Sequence, residues 1–287
     1  MLSLLKYFRK SEMVWDDQAE QSLCKVPAPM RPMVRGKVEE LVRQRGGNKV
    51  RARDFDEAKE AFEQRFKKST GKSVGSNMPA PNEPGVPMTL VQACHSRAAG
   101  CKNPLIDTDE WKEAVEQWVE ESGISERLRQ RLTSDTIFMH NKIRFSISGC
   151  PNGCSRPQIA DFGIVGTVTP VFDTEKCTGC GECAEACPDN AIAMVHDVAV
   201  RDPETCQGCL CCSRACPAEC ISTVEPRARL LVGGKLGRHP HLADPAGEFR
   251  TPEELLRRVE TILEEYLAES EPGERFAKYW VEKTREA

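Results

Sequence analysis

Two stretches of this chain repeat one cysteine pattern, and that repetition limits the folds available to it. Cys177, Cys180, Cys183, Cys187 and Pro188 follow C-x2-C-x2-C-x3-C-P, and Cys206, Cys209, Cys212, Cys216 and Pro217 follow it again. A zinc ribbon explains a CxxC pair, but not the third cysteine, the fourth or the proline after it. Adding Cys94, Cys101, Cys150 and Cys154 to the eight of the two runs places twelve of the fifteen cysteines in grouped motifs. A secreted disulfide scaffold would also be cysteine-rich. No export signal accompanies these motifs: MLSLLKYFRKSE at the start has its positive charges after the apolar residues and no cleavage site. It reads as a short amphipathic helix that docks on the protein or a partner. Grouped thiols of this kind belong in a reducing cytoplasm, here of an anaerobe. A net charge of -4 and a pI near 5.9 give no electrostatic case for nucleic acid. No apolar run approaches a membrane span.

The doubled run resembles the bacterial two-cluster ferredoxins. In that pattern the first three cysteines of each run hold one [4Fe-4S] cluster and the fourth reaches across to the other. The resemblance implies that Cys177, Cys180, Cys183 and Cys216 share one cluster, and Cys206, Cys209, Cys212 and Cys187 the second. Cys211 and Cys220 are surplus and are expected as buried thiols near the clusters, Cys211 with the option of substituting as a ligand. Thr178, Gly179, Gly181 and Gly208 are small, leaving backbone amides free to hydrogen-bond the sulfurs.

Upstream, Arg144 to Gly166 reads RFSISGCPNGCSRPQIADFGIVG. Phe145 and Ile147 alternate with polar residues, and Phe162, Ile164 and Val165 form a second apolar run, so two strands flank the loop. Pro151 and Gly153 are turn formers that let Cys150 and Cys154 face one inorganic object. Thr89 to Ala93 reads as a strand delivering Cys94, and Thr108 as the cap of a helix with Trp111, Ala114, Val115, Trp118 and Val119 on one face. With GCPNGC, this region resembles the sirohaem-containing sulfite and nitrite reductases. The resemblance implies a third [4Fe-4S] cluster on Cys94, Cys101, Cys150 and Cys154, with Cys154 bridging to sirohaem. Six residues separate Cys94 from Cys101, where the family has five. Anionic substrate and tetrapyrrole carboxylates need cationic partners. The resemblance implies tetrapyrrole contacts from Arg97, Lys142, Arg144, Asn152, Arg156, Lys235 and Arg238. Catalytic roles fall to Cys154, Arg97, Arg144 and Lys235. His140 is read as a structural histidine with the option of donating protons.

Near the N-terminus, Val34, Val38, Leu41 and Val42 share a helix face that ends at Gly46-Gly47, and a second helix is expected from about Asp56. VWDDQAEQSLCKVPAPMRPMVRGKVEELVRQRGGNKVRARDF resembles the small helical domain of dark-operative protochlorophyllide reductase. Arg43, Arg45, Lys49, Arg51 and Arg53 form a basic cluster, read as a solvated helix end or as a cradle for tetrapyrrole carboxylates or an acidic partner. Cys24 reads as a lone buried thiol. Near the C-terminus, Leu230 to Val232 is a strand entering GGKLGRHP. Thr251, Pro252 and Glu254 form a capping box with a first-turn proline. Leu255, Leu256, Val259, Ile262, Leu263 and Tyr266 make an apolar helix face, and GERFAKYW also resembles the reductases' ending.

These readings make an α+β chain with a small helical domain at 1–68, a Ser/Gly/Pro-rich linker at 69–88, a reductase-like [4Fe-4S]/sirohaem domain at 89–168 and 226–287, and a ferredoxin insert at 169–225. The expected function is an oxidoreductase passing electrons from a donor protein through the ferredoxin clusters to sulfite or nitrite. The reductase half that supplies most anion-binding Arg and Lys has no recognisable copy here, which implies completion by a partner subunit or a second copy. Two other readings stand: a multi-cluster electron-transfer subunit without sirohaem, and a tetrapyrrole-binding or assembly protein.

Overall fold

A computed structural model describes residues 13–26, 31–70, 79–95 and 100–286, without the side chains of 62–70 and 286. The expected N-terminal amphipathic helix and Arg97 lie outside the described residues. The chain divides into two compact units, residues 1–86 with 134–139, and residues 87–133 with 140–287. Among the described residues no helix is long and apolar enough to cross a membrane.

The smaller unit is helical. Strand β1 (Val14–Trp15) leads into α1 (Asp17–Cys24), which the Asp16 carboxylate caps by accepting from the Ala19 amide at 2.8 Å. Helix α2 (Arg31–Gln44) ends at Gly46-Gly47, as the sequence predicts, and β2 (Lys49–Val50) then pairs with β1 in parallel. Helix α3 (Ala52–Thr70) begins four residues earlier than Asp56. The cause is Asp54, whose carboxylate takes the Arg51 amide at 2.9 Å and turns the chain there. Ala19, Leu23, Val38, Val42, Val50 and Phe55 form the core. Cys24 is exposed, so the expectation of a buried thiol fails: it ends α1 on the face opposite Leu23 and Ala19. The basic cluster is solvated, with Arg45 paired to Glu57 and Arg43 to Glu39. Ala80–Pro81 pairs with Thr136–Ile137, so the end of the Ser/Gly/Pro-rich stretch is structured.

The larger unit is built on a five-stranded sheet. Its strands are β3 (Thr89–Ala93), β4 (Ile143–Ser148), β5 (Phe162–Thr167), β10 (Arg227–Val232) and β11 (Asp244–Phe249). Their order is β11-β10-β5-β4-β3, with β3, β4 and β5 mutually parallel and β10 and β11 antiparallel to their neighbours. Phe145, Ile147, Phe162 and Ile164 are fully buried. Phe145 stacks on Phe162 at 5.1 Å, and Phe162 on Phe276 at 4.8 Å, fastening the sheet to the helical layer.

That layer comprises α4 (Thr108–Glu121), α5 (Ile124–Gln130), α8 (Pro252–Glu269) and α9 (Phe276–Glu286). Asp107, not Thr108, caps α4, accepting from the Asp109 amide at 3.1 Å. Thr108 is the first helical residue, 2% exposed, and turns its hydroxyl to the Cys94 carbonyl at 3.4 Å. Thr251 caps α8 as the sequence predicts, accepting from the Glu254 amide at 3.3 Å, while Glu254 reaches back to the Arg250 amide at 3.1 Å. Thr251→Ala is expected to cost about 1 kcal/mol, read as a small downward shift of the thermal midpoint.

Between β5 and β10 lie two short antiparallel strand pairs and two helical turns. Strand β6 (Pro170–Phe172) pairs with β9 (Ile221–Thr223), and β7 (Ile192–Val195) with β8 (Val198–Arg201), both antiparallel. The turns α6 (Glu182–Glu185) and α7 (Cys211–Ala215) each follow a cysteine loop. The core here is largely sulfur: Cys183, Cys212 and Cys220 are buried with Ile192, Ala199 and Ile221.

Candidate iron–sulfur centres

Two cysteine-bearing loops leave the sheet side by side. Cys94 follows β3 and Gly149-Cys150 follow β4, at the C-terminal ends of adjacent parallel strands. The Cys94 amide donates to the Ile147 carbonyl at 2.8 Å, and the Gly149 amide to the Cys94 sulfur at 3.3 Å. The segment after Cys101 is fixed to the same point, because the Leu105 amide donates to the Gly149 carbonyl at 2.6 Å. The Asn103 amide lies 3.5 Å from the Cys101 sulfur, and Asn152 Nδ2 donates to the Cys154 sulfur at 3.0 Å. Burial pushes the Cys150 thiol up, the Asn152 amide pulls it down, and the Cys154, Cys101 and Cys94 sulfurs add to the upward push. These four cysteines therefore share one electrostatic environment. Cys94 and Cys150 are half-buried, while Cys101, Cys154 and Asn152 face solvent.

In the doubled run the sulfurs gather in two sets. Cys187, Cys206, Cys209 and Cys212 line one pocket together with Cys211. The Ala191 amide donates to the Cys187 sulfur at 3.3 Å. Burial pushes the Cys209 and Cys212 thiols up to about 11, Cys209 with Cys211 as a neighbour and Cys212 with Cys209 and Cys206. In the other set burial raises Cys183, with Cys216 and Cys177 adding to the rise. The Ala199 and Gly179 amides hold Cys177 below its ordinary value. Cys220 is buried 3.4 Å from the Cys216 sulfur, and its thiol is pushed up to about 12, first by burial and then by Cys216. Cys180 stands exposed at the rim.

These sites fit iron–sulfur clusters in the chemistry of their donors. Thiolates grouped by fours are the ligands such clusters take, and amides aimed at sulfur stabilise their charge. Among the described residues no three His, Cys, Asp or Glu side chains draw together around a single metal ion. A cubane core is wider than one ion, and its ligands are placed by their loops.

Contacts also join the segment after Cys101 to the second set of the doubled run. Arg214, in α7, donates from Nη2 to the Cys209 carbonyl at 3.0 Å and from Nη1 to Asn103 Oδ1 at 3.1 Å. Beside it, the Val168 amide donates to the Gly208 carbonyl at 3.1 Å, and Thr167 Oγ1 to the Gln207 carbonyl at 3.1 Å. Gly208 has φ of +70°, and a Cβ there would fall 2.3 Å from Thr167 Oγ1, so only glycine allows this approach. Asn103 and Arg214 were not legible in the sequence as site residues. The one hint was that each lies two positions past a cysteine of its motif.

The expected cationic residues are dispersed. Arg156 follows Cys154 closely, in the left-handed region and exposed. Lys235 and Arg238 lie on the loop after β10, where Gly234 packs against the Gln158 and Ala160 carbonyls; Arg238 is exposed. Lys142 and Arg144 stand at the N-terminal end of β4, the far end from Cys150, roughly 20 Å away at ~3.3 Å per strand residue. Arg144 donates to the Ile159 carbonyl at 2.5 Å and lies 3.5 Å from Asp161, whose carboxyl burial pushes up and Arg144 pulls down. The structure thus does not bring these two beside the cysteines. His140 sits at the same far end, where its carbonyl accepts from Arg275 at 3.1 Å.

A sheet that presents paired cysteine loops at the ends of parallel strands, followed by a doubled four-cysteine run, defines an α+β iron–sulfur protein. Residues 89–284 match the nitrite and sulphite reductase 4Fe-4S domain, and the chain belongs to that family. Residues 15–59 match the proto-chlorophyllide reductase 57 kD subunit. The coenzyme F420-dependent sulfite reductase of Methanocaldococcus jannaschii is 44% identical over 138 residues, covering 47% of this chain and 22% of that protein. One of the subunits of the anaerobic sulfite reductase of Salmonella typhimurium is 34% identical over 74 residues, covering 26% of this chain and 21% of that protein. The chain therefore spans about a fifth of the length of these relatives. A crystal structure of dissimilatory sulfite reductase I is similar with a TM-score of 0.47 and 17% identity, over 79% of this chain and 55% of that one.

Proposed function

We propose that this chain is the electron-delivering and anion-reducing core of a sulfite or nitrite reductase, with a ferredoxin insert at 169–225. Cys94, Cys101, Cys150 and Cys154 would hold one [4Fe-4S] cluster. Cys177, Cys180, Cys183 and Cys216 would hold a second, and Cys187, Cys206, Cys209 and Cys212 a third. When bound, the clusters would supply single electrons and sirohaem the centre at which the anion is reduced, with Cys154 the residue proposed to link the two. The Gly149 and Asn103 amides and the Asn152 side chain stabilise the anionic sulfurs. Arg156, with Lys235 and Arg238 on a neighbouring loop, would offer positive charge to tetrapyrrole carboxylates and substrate, and Arg97 is proposed for the same role from the sequence alone. Cys101, Cys154 and Asn152 are exposed, so the pocket over them needs a further wall, from a partner subunit or a second copy.

The observation that carries this reading is Arg214, which hydrogen-bonds both cysteine-bearing segments at once. Arg214→Ala is expected to keep the full iron content. Turnover driven by a protein donor should slow by about 10-fold, while turnover driven by a small viologen, able to reach the exposed cysteine site, should change little. Equal slowing with both donors would show that Arg214 plays no part in delivery.

The reading as a whole is tested on anaerobically purified chain, expressed with the sirohaem pathway active. About twelve irons are expected from three four-iron clusters, with a Soret band, a red-region band and extractable sirohaem, followed by reduction of sulfite, nitrite or both. Twelve irons without tetrapyrrole, even with candidate partners present, would favour the electron-transfer subunit. Pigment binding without turnover would favour an assembly role.

A further inference from the structure

At the far end of the sheet from the cysteines, the N-terminal end of β4 opens onto a small, solvent-open pocket walled by Arg131, His140, Lys142, Asp161, Tyr266 and Arg275. Lys142 is 4% exposed. Lysines are almost never buried to that extent unless paired, yet no hydrogen bond or ion pair holds its ammonium among the described residues, and the nitrogen is left facing the solvent-open pocket instead. Burial alone acts on its pKa, pushing it down, with no carboxylate to offset the push.

The surrounding charges do not resolve this. Arg131 donates from Nη1 to the Leu267 carbonyl and from Nη2 to the Ser270 carbonyl at 2.5 Å, closing the end of α8. Its Nε is buried without an acceptor. Arg275 spends Nε on the His140 carbonyl. The acids nearby are already matched. Asp161 accepts from the Arg144 amide at 2.9 Å and pairs with the Arg144 guanidinium, and Glu274 pairs with Lys278 at 2.7 Å. Asp161 also feels Arg275, so one carboxylate is shared by two guanidinium groups, and Arg131 and Lys142 add positive charge with no carboxylate of their own around one solvent-open space. An uncompensated buried charge is costly unless a counter-charge completes it.

The geometry points to a site for one small oxyanion of the sulfate or phosphate class, held at Lys142 and separate from the cysteine centres. A compact multivalent anion suits donors that arrive from three places: the start of β4, the end of α5 and the start of α9. Bound there, it would neutralise the lysine and tie those three elements together.

The test uses the full cluster-bearing chain. Equilibrium dialysis against labelled sulfate and labelled phosphate should show one anion per chain. The thermal midpoint should rise saturably over chloride at matched ionic strength. Sulfate and phosphate also stabilise proteins by exclusion from their surfaces, but that rise does not saturate and is shared by every variant. Lys142→Met should lose the saturable part and, freed of a desolvated ammonium that nothing neutralises, melt no lower than the parent in chloride. If this variant does not fold, Arg275→Gln should weaken binding by about 10-fold or more. An unchanged saturable rise in Lys142→Met, unchanged binding in Arg275→Gln, or no bound anion of either kind on the parent overturns the site. Whichever anion binds more tightly identifies the source.

Discussion

Cys154→Ser is expected to leave a chain with about eight irons instead of about twelve, and to abolish sulfite or nitrite turnover. A cysteine thiol ionises near pH 8.5 and readily serves as a thiolate ligand, whereas a serine hydroxyl stays protonated at neutral pH. Losing a hydrogen-bond partner of a ligand costs roughly 10–100-fold in metal affinity or activity, and losing the ligand itself should exceed that. Exposure adds to the effect, because water can enter where Cys154 and Cys101 face solvent. Cys24→Ser is the control: that thiol is exposed in the smaller unit, and its loss should leave the iron count unchanged. Asn152→Ala gives a graded version. It removes only the Nδ2 donor 3.0 Å from the Cys154 sulfur, so the iron should stay and the cluster's reduction potential should fall. Twelve irons and undiminished turnover in Cys154→Ser would show that this cysteine is not a ligand.

The same residues show why part of the site was legible in the sequence and part was not. Cysteine spacing within a loop is a local property and shows each motif, whereas the grouping of Cys187 with the second run, and of Cys94 and Cys101 with Cys150 and Cys154, was an expectation that the resemblance of those motifs to known families implied. Lys142 and Arg144 are just as near to Cys150 in sequence, but they precede a strand. A strand carries neighbours apart at ~3.3 Å per residue, so sequence proximity misplaces them at the opposite end of the sheet. Arg214 and Asn103 fail in the other direction, since 111 residues separate two side chains that touch. Gly208 was expected to free amides for sulfur, but its demonstrable need is the close passage of Thr167. Asp107 and Thr108 are adjacent residues that can both cap a helix. Only the Cys94 carbonyl, which takes the Thr108 hydroxyl, decides between them.

Phe145→Ala should be among the most damaging single changes in the sheet. Phe145 is fully buried, stacks on Phe162 with the rings 14° from parallel, and meets Trp118 edge-on at 6.3 Å. Phe162 in turn packs on Phe276, and Phe276 on Tyr266 at 5.3 Å, so one run of rings links β4, β5, α9 and α8. Removing a buried phenyl costs roughly 3–5 kcal/mol through lost transfer energy and the cavity left behind, with some further loss from broken ring pairs. In a unit of this size that lowers the midpoint by about 10 °C. Phe145→Leu keeps most of the volume and should cost about half as much. The consequence reaches the chemistry, because β4 is the strand that ends in Gly149 and Cys150. A loosened β4 should release the iron proposed at Cys94, Cys101, Cys150 and Cys154 at lower temperature than the parent does. Smaller loss is expected from the doubled run, whose core of Cys183, Cys212, Ile192 and Ile221 is separate from the aromatic run. Thermal melts followed at once by backbone ellipticity and by absorbance of the clusters would separate the two. Loss of all the iron in one step would mean that the sheet and the segment carrying the doubled run unfold together.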